Sequence, residues 1–264
     1  MPIAHVNGID INYQFYGSGS ETLVLIGGLT DTIELWDPQV PGMVAAEYRV
    51  LRFDNRGAGL SDAPAGDYTA RLLADDTEQL LSHLGVDSCH LVGVSMGGMI
   101  AQEFAIMSSI SLRSLTLACT YAAPGLFNER MFTFWAEFVD LADMPLLMRS
   151  LCLWQFTPRF YSDHADEVLA MEAELEASTM SPAAFLSQLN VVKSHDSSSR
   201  VAAIGSPTLV MAATEDILIP PSLSELLHRQ IRGSEWLEIE GGHGCMWENP
   251  DKFTSGILDF VKRH

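Results

Sequence analysis

Residues Cys89–Gln102 read CHLVGVSMGGMIAQ. A short apolar run, His90–Val94, ends in Gly93-Val94-Ser95-Met96-Gly97 and gives way to a segment of helical character. One reading is a glycine turn without chemistry. The other is the sharp strand-to-helix turn that lifts a serine hydroxyl above a sheet. On that reading neighbouring backbone passes close on both sides, and Gly93 and Gly97 supply the small residues this needs. The helix start also leaves the Met96 N–H without an intrahelical partner, free to face a developing oxyanion.

A serine hydroxyl is a poor nucleophile until a base removes its proton, so an orienting acid and a histidine should follow in the order Ser, Asp/Glu, His. Near the carboxyl end, IEGGHGCMWENP places His243 in a glycine-rich loop after the run Glu235–Glu240. It is the best placed of eight histidines: His228 and His264 read as surface, His83 and His90 as structural. For the acid, LVMAATEDILIPP puts Asp216 just past a strand, with Glu215 as the weaker alternative. An acid in such a loop is ordinary turn chemistry when it stands alone; its order and its two partners point to Ser95, Asp216 and His243 as a set. A second oxyanion donor is expected from GGLTDTIELW, where Gly27 and Gly28 let the chain curl so that the Leu29 N–H faces the same point as that of Met96. In FDNRGAGLSD, Asp54 and Arg56 come too early in the chain for the acid of the set and read as loop stabilisers.

Strand-like runs surround these motifs: Ile11–Tyr16, Thr22–Ile26, Arg49–Phe53, His90–Val94, Ser114–Cys119 and Thr208–Ala213. Helical periodicity fills the gaps over Thr69–Leu84, Met96–Met107 and Pro250–Lys262. This alternation predicts an α/β fold with a mostly parallel sheet. Between Tyr121 and about Arg200 the strand-like runs stop, and Met- and aromatic-rich helical patterns take over. Residues 121–200 therefore read as a helical cap inserted into a core formed by 1–120 and 201–264.

The 264 residues fit one large domain, with or without an insertion. A formal charge of -19 gives a field that repels nucleic acid and anionic membranes, so neither is expected as a partner. An anionic substrate would need a local Arg, Lys or His. No secretory signal and no apolar run of membrane length are found, which predicts a cytoplasmic protein. The four scattered cysteines carry no metal spacing and read as reduced and partly buried.

The motifs GGLTDTIELW, FDNRGAGLSD, GVSMGG, TEDILIP and GGHGC, in that order, resemble the α/β-hydrolase fold family over essentially the whole chain. The resemblance implies an eight-stranded, mostly parallel sheet with helices on both faces, a helical cap, no metal or organic cofactor, and acyl transfer through a serine ester. Within the family, WDPQVPGMVAAEYRVLRFDNRGAGLSDAPAGDYT and GVSMGGMIAQ look most like 3-oxoadipate enol-lactonases, with a more distant likeness to aminoacrylate hydrolases. Many relatives carry His-Gly where this chain has Gly27-Gly28, a departure expected to widen the pocket floor or to alter hydrogen bonding there. Haloalkane dehalogenases and epoxide hydrolases of this fold need an aspartate where Ser95 stands, and are excluded.

The function expected is hydrolysis of a small carboxylic ester or lactone, with water as co-substrate and a homodimer allowed. Acylated amines, carbamates, C–C bonds and slow-turnover hormone reception are the alternatives. Trp36, Phe134, Trp135, Phe138 and Trp154 are candidates for an apolar pocket. Phe127, Met131 and Met148 are further ones, though aromatic residues at helical spacing are more often packing. Arg130, with Arg149, Arg159 and Lys193, would serve an anionic substrate.

Overall fold

The computed structural model describes residues 2–141 and 143–264. In chain order it contains β1 (Ile3–Val6), β2 (Ile9–Tyr16), β3 (Thr22–Ile26), α1 (Val40–Ala45), β4 (Arg49–Phe53), α2 (Ala70–His83), β5 (Ser88–Val94), α3 (Met96–Met107) and β6 (Ser111–Ala118). Six helices follow without a strand: α4 (Leu126–Leu141), α5 (Met144–Ser150), α6 (Cys152–Gln155), α7 (Pro158–Asp163), α8 (Ala165–Glu176) and α9 (Pro182–Ser194). The chain then returns through β7 (Thr208–Ala213), α10 (Pro221–Gln230), β8 (Glu235–Ile239), α11 (Cys245–Glu248) and α12 (Pro250–Val261).

The eight strands form one sheet in the order β1-β2-β4-β3-β5-β6-β7-β8. The β1–β2 and β2–β4 pairs are antiparallel, and every later neighbour is parallel. β3 and β7 are buried at every position, as their unbroken apolar runs require of strands covered on both faces. Alternate residues of β3 serve opposite layers. Val24 and Ile26 pack with Leu73, Leu80, Met99 and Phe104, whereas Leu23 and Leu25 pack with Trp36, Met43, Phe253 and Ile257.

Local chemistry sets the helix ends. Thr69 caps α2 by accepting from the Leu72 N–H, and the chain leaves that helix through Gly85 at φ +67°. The loop after β4 is locked by Asp54 and Arg56. Asp54 accepts from the N–H groups of Ile33 and Leu60 and from Asn12 Nδ2, at 2.7–2.9 Å. Arg56 makes a buried two-pronged contact with Asp76 of α2, at 2.6 and 2.7 Å.

The sheet reverses direction at β3: the chain passes to β4 on one side, then to β5 on the other. At such a switch point the loops leaving the two parallel strands diverge, and the crevice between them is where ligands bind in open α/β sheets. Leu29 follows β3 and Ser95 follows β5, so both stand at this crevice.

Candidate active site

Ser95 occupies the turn from β5 into α3 at φ 56° and ψ −121°, a region non-glycine residues rarely visit. Surrounding bonds hold it there: its N–H donates to the Ala118 carbonyl at 2.9 Å, and its carbonyl accepts from Thr120 Oγ1 at 2.8 Å. The flanking glycines are obligatory. A Cβ on Gly93 would meet the Gly97 carbonyl oxygen at 2.3 Å, and one on Gly97 would meet that of Ile26 at 2.2 Å.

The acid loop follows β7 and the histidine loop follows β8, and the Glu215 N–H joins them by donating to the Gly241 carbonyl at 2.9 Å. His243 Nδ1 lies 2.7 Å from Asp216 Oδ2. The other carboxylate oxygen accepts from the N–H groups of Leu218 and Ile219 at 2.9 and 2.8 Å. A carboxylate only accepts, so Nδ1 carries the proton and Nε2 is left as a base. Glu215, the alternative acid, is exposed and takes no part in this contact.

Burial disfavours the His243 imidazolium, but the charge and hydrogen bond of Asp216 outweigh it, helped by Cys119 and Asp31, and push the imidazole from 6.5 up to about 9. Cys119, Asp216 and His243 place their ligand atoms within 4.8 Å of one another. They suit a metal poorly. Asp216 is fully engaged, and the buried Cys119 thiol, in a 3.8 Å hydrogen bond with the Cys245 thiol, is held well above the usual thiol range by that contact and by burial. All four cysteines are free and buried.

Ser95 and His243 line one small cavity of about 40 Å³ together with Leu29, Asp31, Trp135, Leu151, Gln155 and Trp247, among others. The N–H groups either side of Leu29 are engaged: Gly28 donates to Asp31 Oδ2 at 2.7 Å, and Thr30 to Gln188 Oε1 at 2.9 Å. The Leu29 N–H has no partner among the described residues.

The aromatic candidates separate. Trp135 lines the cavity, and Trp154 lies edge-on to it at 6.0 Å and lines a neighbouring cavity beside Asp216. Trp36 does not reach the site. It is 1% exposed in the layer formed by α1 and α12, because the turn after Thr32 directs it under the sheet rather than over its edge. Arg130 and Phe134 lie on the outer stripe of α4 and the half-buried Phe138 at its edge against the core, while Met131, Trp135 and Val139 face inward. Accordingly Arg130 is exposed, Phe134 is 54% exposed and stacked on Phe138, and none of the three lines the cavity.

Asp31 was not foreseen as a site residue. The space that a side chain at position 27 would occupy is filled by it: a Cβ on Gly27 would lie 3.1 Å from Asp31 Cβ. Beside Gly27 and Gly28 the floor thus holds a carboxylate, which accepts from the Gly28 N–H. Burial pushes this acid up from 3.8 to about 6, although the Gly28 hydrogen bond and the nearby His243 act against it.

The model of the alpha/beta hydrolase fold matches residues 21–250, and the chain belongs to that family. Over 98% of both chains it is 29% identical to an Azorhizobium caulinodans protein named "Putative carbamate hydrolase RutD". Among solved structures it resembles an enol-lactonase from Burkholderia xenovorans (25% identity, TM-score 0.92, 99% of this chain and 100% of that one). A hydrolase from Pseudomonas aeruginosa is similar at 27% identity and TM-score 0.90, over 98% of this chain and 97% of that one. Among the described residues no helix is long and apolar enough to cross a membrane.

Proposed function

We propose that this hydrolase cleaves a small carboxylic ester or lactone through an acyl-enzyme on Ser95. The observation that carries the reading is the 2.7 Å contact of His243 with Asp216, in a cavity that the strained Ser95 turn shares. Ser95 Oγ attacks the carbonyl carbon as its proton passes to His243 Nε2. Asp216 keeps Nδ1 protonated and stabilises the imidazolium. The N–H groups of Leu29 and Met96 receive the oxyanion, each contributing about 3 kcal/mol. His243 then protonates the departing alkoxide, the C–O bond breaks, and the acyl group stays on Ser95. Water, deprotonated by His243, releases the acid and restores the hydroxyl.

A second reading, cleavage of a carbamate by the same steps, is supported by the likeness to the Azorhizobium caulinodans protein. The residues fit both, because the carbonyl chemistry is shared.

The inner cavity of about 40 Å³ has room for a short acyl group only, and it shares Asp31, Leu35, Gln155 and Trp247 with a larger space of about 820 Å³. A panel of 4-nitrophenyl esters, enol-lactones and aryl carbamates tests the reading. Acetate and propionate esters should turn over fastest, with kcat/KM falling by tenfold or more at octanoate, about 1.4 kcal/mol of lost transition-state binding. Preference for octanoate would contradict the cavity assignment, and no turnover across the panel would contradict the function.

The pH dependence has a defined sign. His243 accepts a proton only when neutral, so kcat/KM should rise with pH past the usual histidine range, reach half its limit near 9 and level off above that. Stability runs the other way. The folded value lies above the unfolded one, so the contribution of the His243–Asp216 pair is complete below about 6.5 and lost as pH rises through about 9. Thermal melts beside rate measurements from pH 6 to 10 check both, and a rate that falls over that range would contradict them.

A further inference from the structure

The wide cavity of about 820 Å³ shares Asp31, Leu35, Gln155 and Trp247 with the catalytic cavity, so Asp31 stands at the junction of the two. Its described lining includes Asp31, Glu34, Asp37, Asp54, Glu167 and Glu174, and no Arg or Lys. Most of these acids have a partner: Asp37 faces Arg52, Asp54 accepts from backbone N–H groups, Glu167 lies 3.2 Å from His164 Nδ1, and Glu34 accepts from Thr32 Oγ1. Of these partners only Arg52 carries a permanent charge, so the lining keeps an excess of carboxylates. The cations that could have served an anionic substrate lie elsewhere: Arg149 pairs with Glu176, Arg159 with Asp163, and Arg130 and Lys193 are exposed.

Asp31 also lies close to the nucleophile. A Cβ on Gly28 would stand 2.8 Å from Asp31 Oδ2 and 3.4 Å from Ser95 Oγ, which puts the two oxygens within about 6 Å of each other. Asp31 therefore stands beside the nucleophile, close enough for its carboxylate to meet a cationic group on the leaving alcohol of a substrate bound at Ser95. Oδ2 is held by the Gly28 N–H, and the side chain reaches the cavity surface.

We propose that Asp31, at the mouth of the catalytic cavity, selects short-acyl substrates whose leaving group carries a protonated amine. The inference rests on the serine-hydrolase reading above and deepens it. The ammonium N–H donates to the Asp31 carboxylate, and the acidic lining concentrates cations at the entrance and repels anions. An acylated amino alcohol is the chemical class that fits: a small acyl group inside, a cation at the junction. Anionic lactones and esters are disfavoured by the field of these carboxylates, and the positive charge beside Ser95, on His243, is lost when that imidazole acts as base.

Three acetate esters of matched shape test this at about pH 7: 2-(dimethylamino)ethyl acetate, protonated there; 3-methylbutyl acetate, neutral; and 3-acetoxypropanoate, anionic. The full-length protein should show kcat/KM in the order cation, neutral, anion, with at least about tenfold between the first two, the scale on which such fields act. In Asp31→Asn, which keeps an acceptor for the Gly28 N–H, the ratio of cation to neutral should collapse severalfold. A merely structural role would lower both rates together and leave that ratio alone. If Asp31→Asn does not fold, Asp31→Ser and the wild-type order decide. Equal rates for the three esters, or a preference for the anion, overturn the selection while leaving the hydrolase reading standing. No difference between wild type and Ser95→Ala on any ester removes the reading itself, and the selection falls with it.

Discussion

Replacing Ser95 by alanine should lower kcat for 4-nitrophenyl acetate by about 10⁶-fold, the loss found when a triad nucleophile is removed. The fold should survive. Alanine meets the same φ of 56° as serine, and the bonds that hold the turn are backbone ones, from the Ser95 N–H to Ala118 and from Thr120 Oγ1 to the Ser95 carbonyl. The melting temperature should therefore stay within a few degrees of wild type, while a slow background over water persists from the N–H groups of Leu29 and Met96. A purified Ser95→Ala protein that keeps most of its activity would move the chemistry to another group.

The second large effect concerns the fold beneath the site. Gly97→Ala would place a methyl group 2.2 Å from the Ile26 carbonyl oxygen and 2.7 Å from that of Gly27. Both are backbone atoms at the end of β3, so no rotamer change relieves the contact, and β3 and α3 must move apart. The cost should reach about 3 kcal/mol or more, roughly 6–12 °C in melting temperature for a chain of this size. Activity should fall further than stability, because the displaced strand carries the Leu29 loop away from Ser95. Gly205→Ala is the control: its new methyl group meets nothing within 4 Å, and it should change stability by less than about 0.5 kcal/mol. Equal melting temperatures and rates for the two variants would contradict the close packing described for the turn.

Much of this architecture was legible in the sequence because its signals are local. The strand over Thr22–Ile26 and the helix over Met96–Met107 have the boundaries their patterns predict, since unbroken burial and sharp turn residues frame them. β1 was missed. It is four residues long and visible only through its partner, although Asn7-Gly8, both at positive φ, is the pair that marks a tight hairpin. β6 begins at Ser111, three residues before the apolar run, because pairing with β5 extends it beyond its buried part.

The positions of Ser95, Asp216 and His243 could be read from order and strand-end placement, which the sheet topology imposes. The pocket could not. Which stripe of α4 faces the cavity depends on how the helix lies against the sheet; Arg130 and Phe134 fell on the outer one and Phe138 at its edge, away from the cavity. Trp36 was misplaced for a related reason: a 3-10 turn at Ile33–Trp36 rotates it into the opposite layer. Asp31 sat in a quoted motif without its role showing, because that role depends on room left at Gly27 and Gly28, a property of three dimensions.

The central claim is that Ser95 carries an acyl group during turnover. The direct measurement is rapid acid quench of the protein during hydrolysis of a 4-nitrophenyl ester, followed by intact mass and peptide mapping. A mass increase of one acyl group, located on the peptide containing Ser95 and missing from Ser95→Ala, is the predicted result. Turnover with no acyl group on that peptide, or with the group on another residue, would contradict it.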